Sequence, residues 1–152
     1  MSVGYDDLKV ITDNRGLVFE PLDVNAFHCQ RNAHVVISLP GIIRGNHYHI
    51  KGEETISIMG PALVRFRESE KIEDVRIPKG KAYRFTFPPG IAHAIKNLSS
   101  QPNILMAFHT MKHDPQNLDT PAEILMSGAL TSLTSAPPCV GHRYTTLYRL
   151  YS

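Results

Sequence analysis

Gly41-Ile42-Ile43-Arg44-Gly45-Asn46-His47-Tyr48-His49-Ile50-Lys51-Gly52-Glu53-Glu54-Thr55-Ile56-Ser57-Ile58-Met59-Gly60 concentrates two histidines and two glutamates between turn-forming glycines. His47 and His49 are two positions apart, so along an extended chain both imidazoles leave one face and Tyr48 leaves the other. Two nitrogen donors on one face can chelate one ion. Glu53, four positions beyond His49, keeps that parity after a short turn and can return a carboxylate oxygen from the next strand. Glu54 has the opposite parity and is the weaker candidate.

Forty residues on, Pro88-Pro89-Gly90 sets a rigid turn before His93, which shares a face with Ile95 and Asn97. If that strand lies beside the Glu53 strand in a closed barrel, His47, His49, Glu53 and His93 meet at one centre and leave one or two coordination positions open. The surrounding pattern predicts such a shell. Short β-branched or aromatic runs at 9–12, 17–19, 33–39, 55–59, 62–67, 73–77, 83–87, 93–96 and 103–110 are separated by Gly, Pro, Asn and Asp. This is an all-β pattern, a sandwich or jelly roll. Thr120-Pro121-Ala122-Glu123 carries an N-cap hydroxyl, a first-turn proline and a glutamate three positions on, which predicts a short C-terminal helix over 121–126. Residues 1–127 are expected to form the domain. Residues 128–152, Ser/Thr-rich and proline-broken before HRYTTLYRLYS, are expected to be a linker and tail, either with an added strand or disordered.

The chain has 152 residues, sixteen Lys and Arg against fourteen Asp and Glu, and a net charge of +2, which argues against nucleic-acid binding by counterion release. No apolar run reaches the roughly 18 residues of a membrane span, and MSVGYDDLKV does not read as a secretory leader. Cys29 and Cys139 fit a reducing compartment, so a cytoplasmic protein without membrane partners is expected.

The two histidine-bearing tracts resemble the motifs of the cupin superfamily. GIIRGNHYHIKGEETISIMG satisfies Gly-x5-His-x-His-x3-Glu-x6-Gly at each fixed position, and PPGIAHAIKN satisfies Pro-x-Gly-x2-His-x3-Asn. The second motif's leading glycine is displaced, Gly80 falling two residues early. The resemblance implies a double-stranded β-helix, the cupin jelly-roll barrel, and one divalent transition metal ion (zinc, manganese, iron, nickel or copper). GNHYH, GPALVRFR and FPPGIAH further resemble the cupin domain of capsular-polysaccharide epimerase/reductases, and Arg44-Gly45-Asn46-His47-Tyr48 more weakly resembles dTDP-4-dehydrorhamnose 3,5-epimerases, which use a histidine base without metal. The likeness spans about residues 33–120 and implies an epimerase or isomerase acting on a nucleotide-linked 4-keto-6-deoxy sugar in polysaccharide biosynthesis.

That chemistry removes a proton beside a carbonyl, so an enolate oxygen needs positive charge or donors fixed in advance. Metal-bound imidazoles cannot also collect protons. His109 and Tyr83, each on a predicted strand, are the candidate acid–base groups, ahead of His113 and Lys96. Arg44, Arg65, Arg67 and Arg84 are candidates to hold a diphosphate. A metal-dependent dioxygenase and a non-catalytic sugar-binding or small-ligand-binding module are the alternatives. A homodimer is expected, since sheets of this kind leave edge strands that a second copy can cover.

Overall fold

The computed structural model describes residues 2–114, 116 and 119–127. Eleven strands and one short 3-10 helix make up the regular structure of the described residues: β1 (Gly4–Leu8), β2 (Ile11–Asp13), β3 (Gly16–Val18), the helix Val24–Cys29, β4 (Asn32–Ser38), β5 (Ile43–His47), β6 (Glu54–Met59), β7 (Ala62–Glu68), β8 (Lys71–Ile77), β9 (Ala82–Phe87), β10 (Ala92–Asn97) and β11 (Asn103–His109). Every strand pairing is antiparallel. One sheet runs β1-β9-β6-β11-β4, the second runs β5-β10-β7-β8, and β2 and β3 form a separate hairpin. The fold is the cupin jelly roll, all-β as its alternation and turn spacing predict.

Side chains from both large sheets fill the space between them. Ile56, Ile58, Phe85, Phe87, Leu105 and Ala107 come from the first sheet and Val64, Phe66, Ile77 and Ile95 from the second. Strand periodicity sends alternate residues inward, yet β6 is buried on both faces. Its outer Ser57 donates its hydroxyl to the Pro21 carbonyl, beside the buried Leu22, and its outer Thr55 meets the Thr86 hydroxyl of β9 at 3.4 Å.

The predicted helix over 121–126 does not form. Ala122 instead makes an antiparallel bridge with His47, the Tyr48 amide donates to the Pro121 carbonyl and the Glu123 amide donates to the Asn46 carbonyl. Asn46, at φ 57°, then accepts the Leu125 and Met126 amides on Oδ1 and donates from Nδ2 to the Met126 carbonyl, each at 3.0 Å. The amides a helical turn would leave for capping are thus drawn into an extra, strand-like strap along the edge of β5. Leu125 and Met126 anchor it among Leu63, Ala92 and Ala94. The expected tail and possible strand of 128–152 lie outside the described residues.

Candidate functional site

The strand register sorts inward side chains into levels. On β6, β11 and β4 the level of Ile58, Leu105 and Val36 is apolar, and that of Ile56, Ala107 and His34 is mixed. The level of Glu54, His109 and Asn32 is fully polar. From the opposite sheet, β5 and β10 bring His47 level with His93. A core that is hydrocarbon at one end therefore becomes a histidine-rich cavity at the other, of about 230 Å³. A β-bulge at His93/Ala94 adjusts the pairing, and Gly45 makes it possible: its φ is +86°, and a Cβ there would stand 2.7 Å from the His93 carbonyl oxygen.

His47, His49, Glu54 and His93 bring one ligand atom each to within 4.8 Å of one another. Glu54 Oε2 is 2.9 Å from His93 Nε2 and 3.2 Å from His49 Nε2. These contacts are short but out of line. Neither nitrogen nor Oε2 has a hydrogen-bond partner of acceptable geometry, although all three are buried. His93 is held by stacking on Phe87, ring centroids 4.2 Å apart, and by Nδ1 at 3.1 Å from the Ile91 carbonyl oxygen. Unpaired buried polar atoms of this kind are costly unless something else satisfies them. Bonds of about 2.0–2.2 Å place the nitrogen and oxygen ligands of one ion up to about 4 Å apart, so the quartet fits a transition metal after small side-chain adjustments.

Burial, reinforced by the neighbouring His93, pushes the His47 imidazole down to about 4, despite the opposing Glu54 charge. Burial alone would raise the Glu54 carboxyl, but its contacts with His49 and His93 outweigh this and hold it well below the usual range. Burial likewise lowers His34 and His109. At neutral pH the site thus offers a carboxylate and a neutral His47, the protonation states a metal requires.

Several expected positions fall elsewhere. Glu53 precedes β6, its amide donating to Thr110 Oγ1 and its carbonyl accepting from the Thr110 amide, and Glu54 takes the place assigned to it. The bend at Ile50–Lys51 breaks the parity counted from His49. Tyr83 has the inward parity of Phe85 and Phe87 but lies level with Ile58, four residues along β9 from the level of Glu54, and its ring stacks on Tyr5. Arg65 forks onto Asp74 at 2.7 and 2.8 Å and reaches the Leu125 carbonyl, Arg67 pairs with Glu123 at 2.6 Å, and Arg84 pairs with Asp6 at 3.0 Å. None of these three arginines lines the cavity, whereas Arg44 and His109 do. Sequence reasoning missed His34, Lys112 and Asp119, which also line it. The signal for His34 was its parity with Val36, and for Glu54 its parity with Ile56 and Ile58.

The two sheets and the polar end of their barrel define an RmlC-like cupin. Residues 11–121 match the polysaccharide biosynthesis C-terminal domain family, and the chain belongs to it. The capsular polysaccharide assembling protein CapF from Staphylococcus aureus superposes with a TM-score of 0.57 at 27% identity, over 76% of this chain and 31% of that one. This chain therefore spans about a third of CapF. The dTDP-4-dehydrorhamnose 3,5-epimerase from Sulfolobus tokodaii superposes with a TM-score of 0.61 at 22% identity, over 79% and 76% of the two chains. QdtA, a sugar 3,4-ketoisomerase from Thermoanaerobacterium thermosaccharolyticum in complex with TDP, gives 0.58 at 15% identity, over 78% and 86%. Among curated proteins none matches the sequence. No helix among the described residues is long and apolar enough to cross a membrane.

Proposed function

We propose that this protein is a metal-binding epimerase or isomerase of a nucleotide-linked 4-keto-6-deoxy sugar, working in polysaccharide biosynthesis. The observation that carries the proposal is the quartet His47, His49, Glu54 and His93, whose ligand atoms converge at the end of the cavity, those of His49, Glu54 and His93 buried without satisfactory hydrogen bonds. A divalent transition ion held by these residues would act as a Lewis acid toward the enolate oxygen formed when a proton leaves the carbon beside the ketone. The names of the structural relatives support the substrate class, and the family description supports the biosynthetic setting.

The cavity, at about 230 Å³, is smaller than the roughly 300–1,000 Å³ of most drug-sized sites, so it takes the sugar and leaves the nucleotide at its mouth. Ile56, Ile95 and Leu105 exclude water from the ring, and Arg44 and Lys112 offer positive charge to the diphosphate. Outside the quartet, His34, His109, His113, Asp114 and Asp119 are the imidazoles and carboxylates that line the cavity and from which acid–base groups would be drawn. The unpaired, exposed Cys29 is consistent with the cytoplasmic setting that nucleotide sugars imply.

Two measurements test the reading. Elemental analysis of purified protein should find about one transition metal per chain, with most of it lost in His49→Ala. Incubation in heavy water with dTDP- or UDP-4-keto-6-deoxyglucose should place deuterium on the carbon next to the ketone. Absence of exchange with both nucleotides would remove the epimerase assignment, and oxygen uptake by the iron-loaded protein would point to a dioxygenase instead.

A further inference from the structure

We propose that His109 is a fixed hydrogen-bond donor, presenting Nε2–H to the sugar's carbonyl or enolate oxygen, and is not the base that receives the proton. The substrate in this statement rests on the sugar-nucleotide reading, whereas the tautomer of His109 stands on the geometry alone. His109 ends β11, is 7% exposed, and has its ring 4.4 Å from that of His49. The Met111 backbone amide lies 3.0 Å from Nδ1 and donates to it. A main-chain N–H can only donate, so Nδ1 must present its lone pair, and a neutral imidazole then carries its hydrogen on Nε2. The Met111 carbonyl oxygen is also 3.2 Å from Nδ1, but a hydrogen on Nδ1 would be driven against the amide hydrogen. The shorter contact, from the fixed donor, decides the assignment.

Nε2 is buried without a hydrogen-bond partner, and His109 lines the cavity together with His49 and Asp119. Gly52 leaves room for the ring: a Cβ at that position would lie 2.1 Å from its Cε1 and 2.7 Å from Nε2. With its lone pair occupied, His109 has none to offer a carbon-bound proton. What it offers is a donor, set in place before charge develops on the substrate oxygen. The same tautomer argues against a second cation among His49, His109 and Asp119, although their ligand atoms lie within 4.8 Å of one another. Metal on Nε2 would force the hydrogen onto Nδ1, against Met111. The base is then sought among His34, His113, Asp114 and Asp119.

Long-range proton–nitrogen correlation spectra of zinc-loaded, nitrogen-15-labelled protein should show His109 with Nδ1 bare and Nε2 protonated. A protonated Nδ1, or a second bound zinc that shifts the His109 signals, overturns the proposal whatever the substrate proves to be. In the heavy-water assay, His109→Phe should lose roughly 100-fold or more of the exchange rate, while His109→Gln, which keeps a side-chain N–H, should lose less than about tenfold. The pH profile of His109→Gln should keep the acidic limb set by the base. Loss of that limb would identify His109 as the base and overturn the proposal. No exchange in the wild type would end the substrate reading, and with it the sugar oxygen as partner, while the nitrogen spectrum would still decide the tautomer.

Discussion

In β6, Glu54 shares its face with Ile56 and Ile58, while Glu53 stands outside the strand with its backbone tied to Thr110. One position therefore separates a 5% exposed carboxylate among three imidazoles from one held in the approach loop. Glu54→Gln retains the size of the side chain but removes its charge and one ligand oxygen. Its zinc affinity, read by competition with a chromophoric chelator, should fall by roughly 10- to 100-fold or more, whereas Glu53→Gln should stay within about threefold of wild type. Equal losses in both variants would refute the assignment of Glu54. Removing Glu54 also leaves His49 and His93 without their acidic neighbour, so metal-free Glu54→Gln should be compared with metal-free wild type before any loss of affinity is assigned to the ion.

At the scale of the element, Asn46 joins β5 to the strap. It replaces three backbone partners that residues 125 and 126 would otherwise seek in water. Asn46→Ala should destabilise the fold by about 1–3 kcal/mol, lower the melting temperature by a few degrees, and accelerate amide exchange at Leu125 and Met126 ahead of the core. Asn46→Asp keeps Oδ1 and should fall between the two. Unchanged exchange at those amides would show that the strap is held by Leu125, Met126 and the Arg67–Glu123 pair alone. The strap also marks where local sequence reasoning stopped. Strands β4 and β6 to β11 were legible to within two residues, because their alternation and the turns between them are local. β1 was not, since GYDDL is exposed or half-exposed along its length and shows no buried stripe. β5 was hidden by its half-buried pattern and its glycine. The 121–126 segment has sound helix-start chemistry, but six residues cannot support a helix against tertiary hydrogen bonds. His47, His49 and His93 were readable as a cluster because the first two stand two positions apart, at the end of β5 and just beyond it, and the third follows a rigid turn. Arg65, Arg67 and Arg84 were not readable as structural, since their partners Asp74, Glu123 and Asp6 are set by pairing between segments.

For the whole molecule, β4 is the end of the five-stranded sheet and has only β11 beside it among the described residues. Its outward Val35 and Ile37 are 65% and 59% exposed, next to Ile104 at 51%, and no outward charge guards the edge. An antiparallel strand can pair with its own copy about a two-fold axis, continuing the sheet and covering this face, so sedimentation should report a dimer that Val35→Glu/Ile37→Glu converts to monomer. A monomeric wild type would refute this pairing. Acid should weaken the fold independently of assembly. The unfolded chain binds a proton at His47 near pH 6.5, but the folded one does so only near 4, so stability is unaffected by this group above about 6.5 and falls as pH drops between the two values. At pH 5 His47 alone should cost about 2 kcal/mol, and His34 and His109, also lowered, add in the same direction. Glu54 acts further down, its depressed carboxyl giving stability that is lost as pH falls below the ordinary carboxylate value. Urea midpoints of metal-free protein should therefore decline steadily from pH 7 to 4.5, and His47→Gln should flatten the upper part of that decline. A midpoint independent of pH across this interval would mean that the imidazoles are as well hydrated in the folded protein as in the unfolded chain, and the buried quartet would lose its physical basis.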